Sequence, residues 1–174
     1  MRINIQLKMA LIYIFLITFT FPKTSAAQQK FDKAVFYDVM ASGNGEAVNN
    51  EISIVQSASL FNKEGYEGAL LMKKAGFAAP AKKKLKFFKD GRIKLETALM
   101  ADNENTEFHF LRLAVEENAP KIVKYRADIE KDKLFIQKNF KNLPAPVQYA
   151  ILDYCKKSKI LHADDFSPRS RDSF

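Results

Sequence analysis

The sequence predicts an all-α protein of about six or seven helices in antiparallel pairs, arranged as a short solenoid or a helical bundle. Three observations carry that reading. Apolar residues recur at helical spacing through most of the chain. No segment sustains the apolar–polar alternation of a half-buried strand. Neither Asn44-Gly45 nor Asp90-Gly91 sits between two β-branched runs, so no tight hairpin is signalled. Short connections then favour antiparallel neighbours.

Residues 1–27 read as an export signal ahead of the fold. Arg2 and Lys8 precede the apolar run Met9–Phe21, and Thr24-Ser25-Ala26-Ala27 supplies small residues for cleavage after Ala26 or Ala27. At thirteen residues the run is shorter than the roughly 20 needed to span a bilayer. The chain is expected in the periplasm or outside the cell. Residues 28–162 form one helical domain, and 163–174, reading ADDFSPRSRDSF, is expected to be a disordered tail.

Helix one is placed at Phe31–Ala41 on Phe31, Val35, Phe36 and Val39, and Ser42-Gly43-Asn44-Gly45 stops it. Helix two covers Glu46–Ser57 through Val48, Ile52 and Val55, with an extension to Phe61 open. Helix three runs Lys63–Ala75 with Tyr66, Ala69, Leu70 and Met72 inward and Gly76 as its cap. Helix four, the longest, runs Pro80–Ala101 on Leu85, Phe88, Leu95 and Leu99, with Asp90-Gly91 as a place for a break. Asn105 or Asn103 caps helix five, Thr106–Glu117, which carries Phe108, Leu111 and Val115 on one face. Helix six extends from Pro120 to Phe140, and helix seven from Val147 to Ser158.

The full chain carries a net charge of +8. Removing the signal takes away three basic residues and no acidic one, leaving +5. A chain this mildly basic, without a concentrated basic face, is not expected to bind nucleic acid. Cys155 is the only cysteine, so no internal disulfide forms; at helical spacing with Val147, Ile151 and Tyr154 it reads as a small buried hydrophobe, with pairing to another chain as the alternative.

Gly91–Asn105, GRIKLETALMADNEN, resembles the second helix and following turn of a tetratricopeptide repeat. Gly91 falls at the family's small position, Leu95 at its large one, Ala98-Leu99 at its Ala-Leu step and Asp102 at the aspartate of its turn. Tyr66-Glu67-Gly68-Ala69, Met72 and Gly76 are similar to the first helix of that repeat. About ten additional residues separate the two helices, and Asn103 stands where the family has proline. The resemblance covers about a quarter of the chain and implies a curved stack whose concave face holds a peptide or partner protein. The whole layout is also similar to exported proteins of Bacteroidota-type bacteria.

Chemical sites are few. His109 and His162 are the only histidines. Around His109, the positions that share its helical face are Asn105, Thr106, Arg112 and Leu113, which make poor metal ligands. His109 therefore reads as a packed or surface histidine, and Arg112 as a surface or salt-bridging residue. Glu104 and Glu107 oppose the positive end of helix five. Glu116 and Glu117 sit at its other end, either solvated or engaged by a partner. Asp128, Glu130 and Asp132 alternate with Lys131 and Lys133 and read as a solvated face. No catalytic residues, metal or cofactor are expected.

The run Lys82-Lys83-Lys84-Leu85-Lys86-Phe87-Phe88-Lys89 is the most distinctive feature. Leu85 and Phe88 fit the core stripe, leaving Phe87 as a surplus aromatic among Lys82, Lys83, Lys84, Lys86 and Lys89. These observations imply an exported, non-enzymatic scaffold or protein- or peptide-binding module. The alternatives are a protein that uses the basic helix on an anionic membrane surface or acidic polymer, and a small hydrolase built around His109.

Overall fold

The computed structural model describes residues 30–167. The expected signal peptide and the end of the expected tail lie outside them. Seven α-helices and three 3-10 turns make up the regular structure, and no strand occurs among the described residues. The chain is all-α, as its periodicity requires.

Helix starts follow from side-chain caps. Asp32 accepts from the amides of Ala34 and Val35 at 2.7 and 3.1 Å, so α1 spans Lys33–Ala41 and leaves Phe31 outside it. Asn44 accepts from the amides of Glu46 and Ala47 to open α2, Gly45–Ser57. This helix stops at Ser57, and Phe61 beyond it is 88% exposed. Next come α3, Lys63–Ala75, and α4, Ala81–Ala101. Asn105 accepts from the Phe108 amide at 3.1 Å to cap α5, Thr106–Asn118.

Helix α5 is the centre of the molecule. Every residue from Thr106 to Leu113 is buried, and a helix buried all round is enclosed by others. Phe108 meets Tyr66 of α3, and Phe110 lies between Tyr37 of α1 and Tyr154 of α7, which spans Ala145–Cys155. On another side the His109 ring lies 4.2 Å from that of Phe135 in α6, Ile129–Asn139. First and last helices also touch, α1 packing on α7, so the described helices form a bundle closed around α5. Each of Phe108, Leu111 and Leu113, at most 1% exposed, contributes about 1.5–3 kcal/mol of burial.

The α3–α4 pair is the most extensive helix contact among the described residues. It depends on two glycines. A Cβ on Gly91 would lie 2.5 Å from the Gly68 carbonyl oxygen, and one on Gly68 2.7 Å from that of Gly91. The two backbones therefore touch where they cross, and α4 continues through Asp90-Gly91 unbroken.

Several expected boundaries shift. The proposed helix six divides into a 3-10 turn at Lys121–Val123, a left-handed residue at Lys124 (φ 47°) and α6. The break turns Tyr125 into the core, lets Arg126 donate to the carbonyls of Glu117 and Ala119, and presents the Asp128 amide to buried Glu116. Helix α7 ends at Cys155 rather than Ser158. Ordered chain also reaches past Leu161: Ala163–Phe166 is a 3-10 turn, and the Phe166 ring lies 4.4 Å from that of Phe140. The apolar stripe of α1 is Phe36 and Tyr37, both buried, while Val35 is 43% exposed.

Candidate functional site

Helices α4, α5 and α6 meet at a network of charged side chains centred on Asp132. This carboxylate is fully buried, which corrects the solvated placement expected for Asp132, while Glu130 and Lys131 of the same stretch are exposed. Arg112 donates to it through Nε at 2.8 Å and Nη2 at 2.7 Å, the bidentate fork a guanidinium offers a carboxylate. The Nδ1 of His109 lies 2.6 Å from Asp132 Oδ1, and its Nε2 lies 2.9 Å from the carbonyl oxygen of Asn103. Both ring nitrogens of His109 thus face oxygen atoms.

The network continues outward. Arg112 Nη1 donates to Glu96 Oε2 at 3.0 Å, and the Tyr125 hydroxyl donates to Glu96 Oε1 at 2.5 Å. Asp128 Oδ1 lies 3.6 Å from Arg112 Nη2. Burial works against the Arg112 charge, but the hydrogen bonds and charge of Asp132, with Glu96 and Asp128, outweigh it and raise its pKa. Burial first, then Glu96, push Tyr125 up. Burial also drives Glu116 up to about 7, and the charges of Asp128 and Asp132 reinforce that. The Asp128 amide, donating to Glu116 Oε2 at 3.1 Å, and the Arg112 charge pull the other way without prevailing. Glu116 Oε1 has no partner.

Two further carboxylates of α5 tie it to its surroundings. Glu107 pairs with Lys33 and accepts from the Tyr37 hydroxyl at 2.9 Å, while Lys33 also donates to the Tyr66 hydroxyl at 2.9 Å. Glu117 accepts from the Tyr154 hydroxyl and Ser158 Oγ, each at 2.7 Å, and from the Lys159 amide at 2.6 Å. Glu116 and Glu117 are thus engaged by the chain itself. Burial and then Asp165 push the Cys155 thiol up to about 11; Cys155 is a half-buried free cysteine.

The basic run lies on the first half of α4 and is the outer surface. Lys82, Lys83, Lys84, Lys86 and Lys89 are exposed. Lys86 pairs with Asp90 at 2.5 Å, whereas Lys82, Lys83, Lys84 and Lys89 pair with no carboxylate among the described residues. Leu85 is 46% exposed, not part of the core stripe. Phe87 takes the half-buried place, with Lys74 Nζ 4.7 Å and Lys83 Nζ 5.9 Å from its ring centre. Seven residues of α3 follow the Gly68 crossing, but ten of α4 precede Gly91, so Ala81–Lys83 at the start of α4 overhang their partner.

Two shallow grooves share Lys33. One, about 530 Å³, is lined by Phe31, Leu60, Phe61 and Tyr66; the other, about 380 Å³, by Glu104, Thr106, Asn142 and Pro144. Among the described residues no three His, Cys, Asp or Glu side chains are grouped to hold a metal ion, and no helix is long and apolar enough to cross a membrane.

Sequence reasoning missed Asp132, Asp128, Glu96 and Tyr125 as members of one cluster. For Asp132 a signal existed: it falls three residues after Ile129 and four before buried Ile136, on the inward face of α6. No family model, no curated protein and no solved structure matches the chain.

Proposed function

We propose that the chain is an exported, non-enzymatic helical scaffold that binds a protein or peptide partner, in the periplasm or outside the cell. The observation that carries this reading is the use made of the reactive side chains. His109, Arg112, Asp132 and Glu107 are spent on contacts between helices. Use of His109 as the base that activates a nucleophile would need a ring nitrogen turned to a hydroxyl or thiol, and both nitrogens are turned to Asp132 and Asn103. That geometry weighs against the hydrolase reading. The tetratricopeptide likeness falls on α3 and α4, the pair with the most extensive contact, and adds support for a helical binding surface.

Crosslinking in the native envelope, followed by mass spectrometry, tests the reading. One protein captured repeatedly, through lysines of α2–α5, is the expected outcome. A hydrolytic activity in the purified chain that His109→Gln abolishes without changing the melting temperature would overturn it.

A further inference from the structure

The outer face of α4 has no helix over it, and its composition is ordered along its length. Lys82, Lys86, Lys89, Ile93 and Met100 fall in one stripe at i, i+4, i+7, i+11 and i+18. All five are exposed, Ile93 at 65% and Met100 at 77%. The stripe is basic over its first half and apolar over its second, and at 1.5 Å per residue it is about 27 Å long. From Gly76 to Lys86 every residue but Ala78 is exposed, so the α3–α4 corner projects. Phe77, 46% exposed, stands there with Lys73 Nζ 5.9 Å from its ring centre. Lys157 lies close enough to Lys73 to lower its pKa alongside burial. Among the described residues, the one carboxylate paired to this row is Asp90, on Lys86.

We propose that the outer face of α4, from Lys82 to Met100, docks on an anionic phospholipid surface. This goes beyond the partner-binding reading and concerns where the chain sits. Unpaired lysines supply charge complementarity to phosphate headgroups, to which a juxtamembrane basic cluster is attracted. Ile93, Met100, Leu85 and Phe77 supply apolar tips for the headgroup boundary, as in helices that lie in the interface. The two grooves around Lys33 do not include this face. Its basic first half and apolar second half along one exposed stripe favour a lipid surface over an acidic protein as the occupant.

Flotation of the processed chain with vesicles decides it. Binding is expected to phosphatidylglycerol–phosphatidylcholine vesicles and not to phosphatidylcholine alone. It should fall by about tenfold or more when salt is raised to about 0.5 M, where exposed charges are screened. The K82E/K86E/K89E variant should lose flotation with its melting temperature unchanged, since these side chains touch no buried group. An I93S/M100S variant should float less at moderate salt. Equal flotation with both vesicle types, no flotation with either, or a charge-reversal variant that floats like the native chain would overturn the proposal. So would binding to soluble polyglutamate without flotation, which would place an acidic protein on this face.

Discussion

Buried Asp132 is shared by Arg112 and His109, and each depends on it for a hydrogen-bond partner. Replacing such a buried pair wholly by apolar groups is often neutral, but removing one partner strands the other. Asp132→Ala leaves Arg112 and His109 facing each other without their shared carboxylate. A loss of about 3–5 kcal/mol is expected, read as the shift of the urea midpoint. Glu116 adds a pH dependence. With its pKa pushed up to about 7, the folded chain holds this proton where the unfolded chain has released it. Stability from this group is therefore full below the ordinary carboxyl range and falls as pH rises from there to about 7. Above that the buried carboxylate costs at most about 3 kcal/mol. Glu116→Gln should be the more stable form at about pH 8 and close to the native chain near pH 4. Equal pH slopes for the two would contradict this. Cys155, pushed up to about 11, should react with iodoacetamide at neutral pH far more slowly than a free thiol. The His109–Arg112 spacing along one helix face was legible in the sequence, but their partner lies in another helix. A pairing across a sequence separation of 20 leaves no periodic trace.

Helix identity was legible because caps and apolar spacing are local. Asp32, Asn44 and Asn105 cap by reaching their own next residues; Asn105 reads as a cap in the sequence, whereas Asp32 falls inside the expected helix one and Asn44 in the stop that follows it. The division of helix six could not, because its causes are distant: Tyr125 turns toward Glu96, and the Asp128 amide toward Glu116. The α3–α4 crossing makes its own demand. Gly91→Ala places a methyl 2.5 Å from the Gly68 carbonyl oxygen, so the backbones must part. The cost expected is about 1–3 kcal/mol, with Gly68→Ala similar. Gly43 is the control, since a Cβ there meets nothing within 4 Å and no glycine of the described residues has positive φ. Gly43→Ala should be stabilising by about 0.4–1 kcal/mol, through lost freedom in the unfolded chain. Thermal melts of the three variants separate the two effects.

At the scale of the whole molecule, charge is sorted by depth. Acidic side chains of α5 and α6 hold helices together inside, while Lys82, Lys86 and Lys89 stand on the outer face of α4. The lysine run was legible as composition. Its outward placement was legible too; the exchange of Leu85 for Phe87 at the half-buried position was not, because it depends on how α4 lies on α3. Under the proposed function this sorting leaves the inner network to hold the fold and the surface to recognise a partner. Retention of the chain by its native envelope, measured per folded molecule for two variants, tests that division most directly. K82E/K86E/K89E should fold like the native chain and lose retention. Asp132→Asn should melt earlier yet be retained normally by the fraction that folds. Retention that survives the lysine reversals but vanishes in folded Asp132→Asn would contradict the division and return function to the buried cluster.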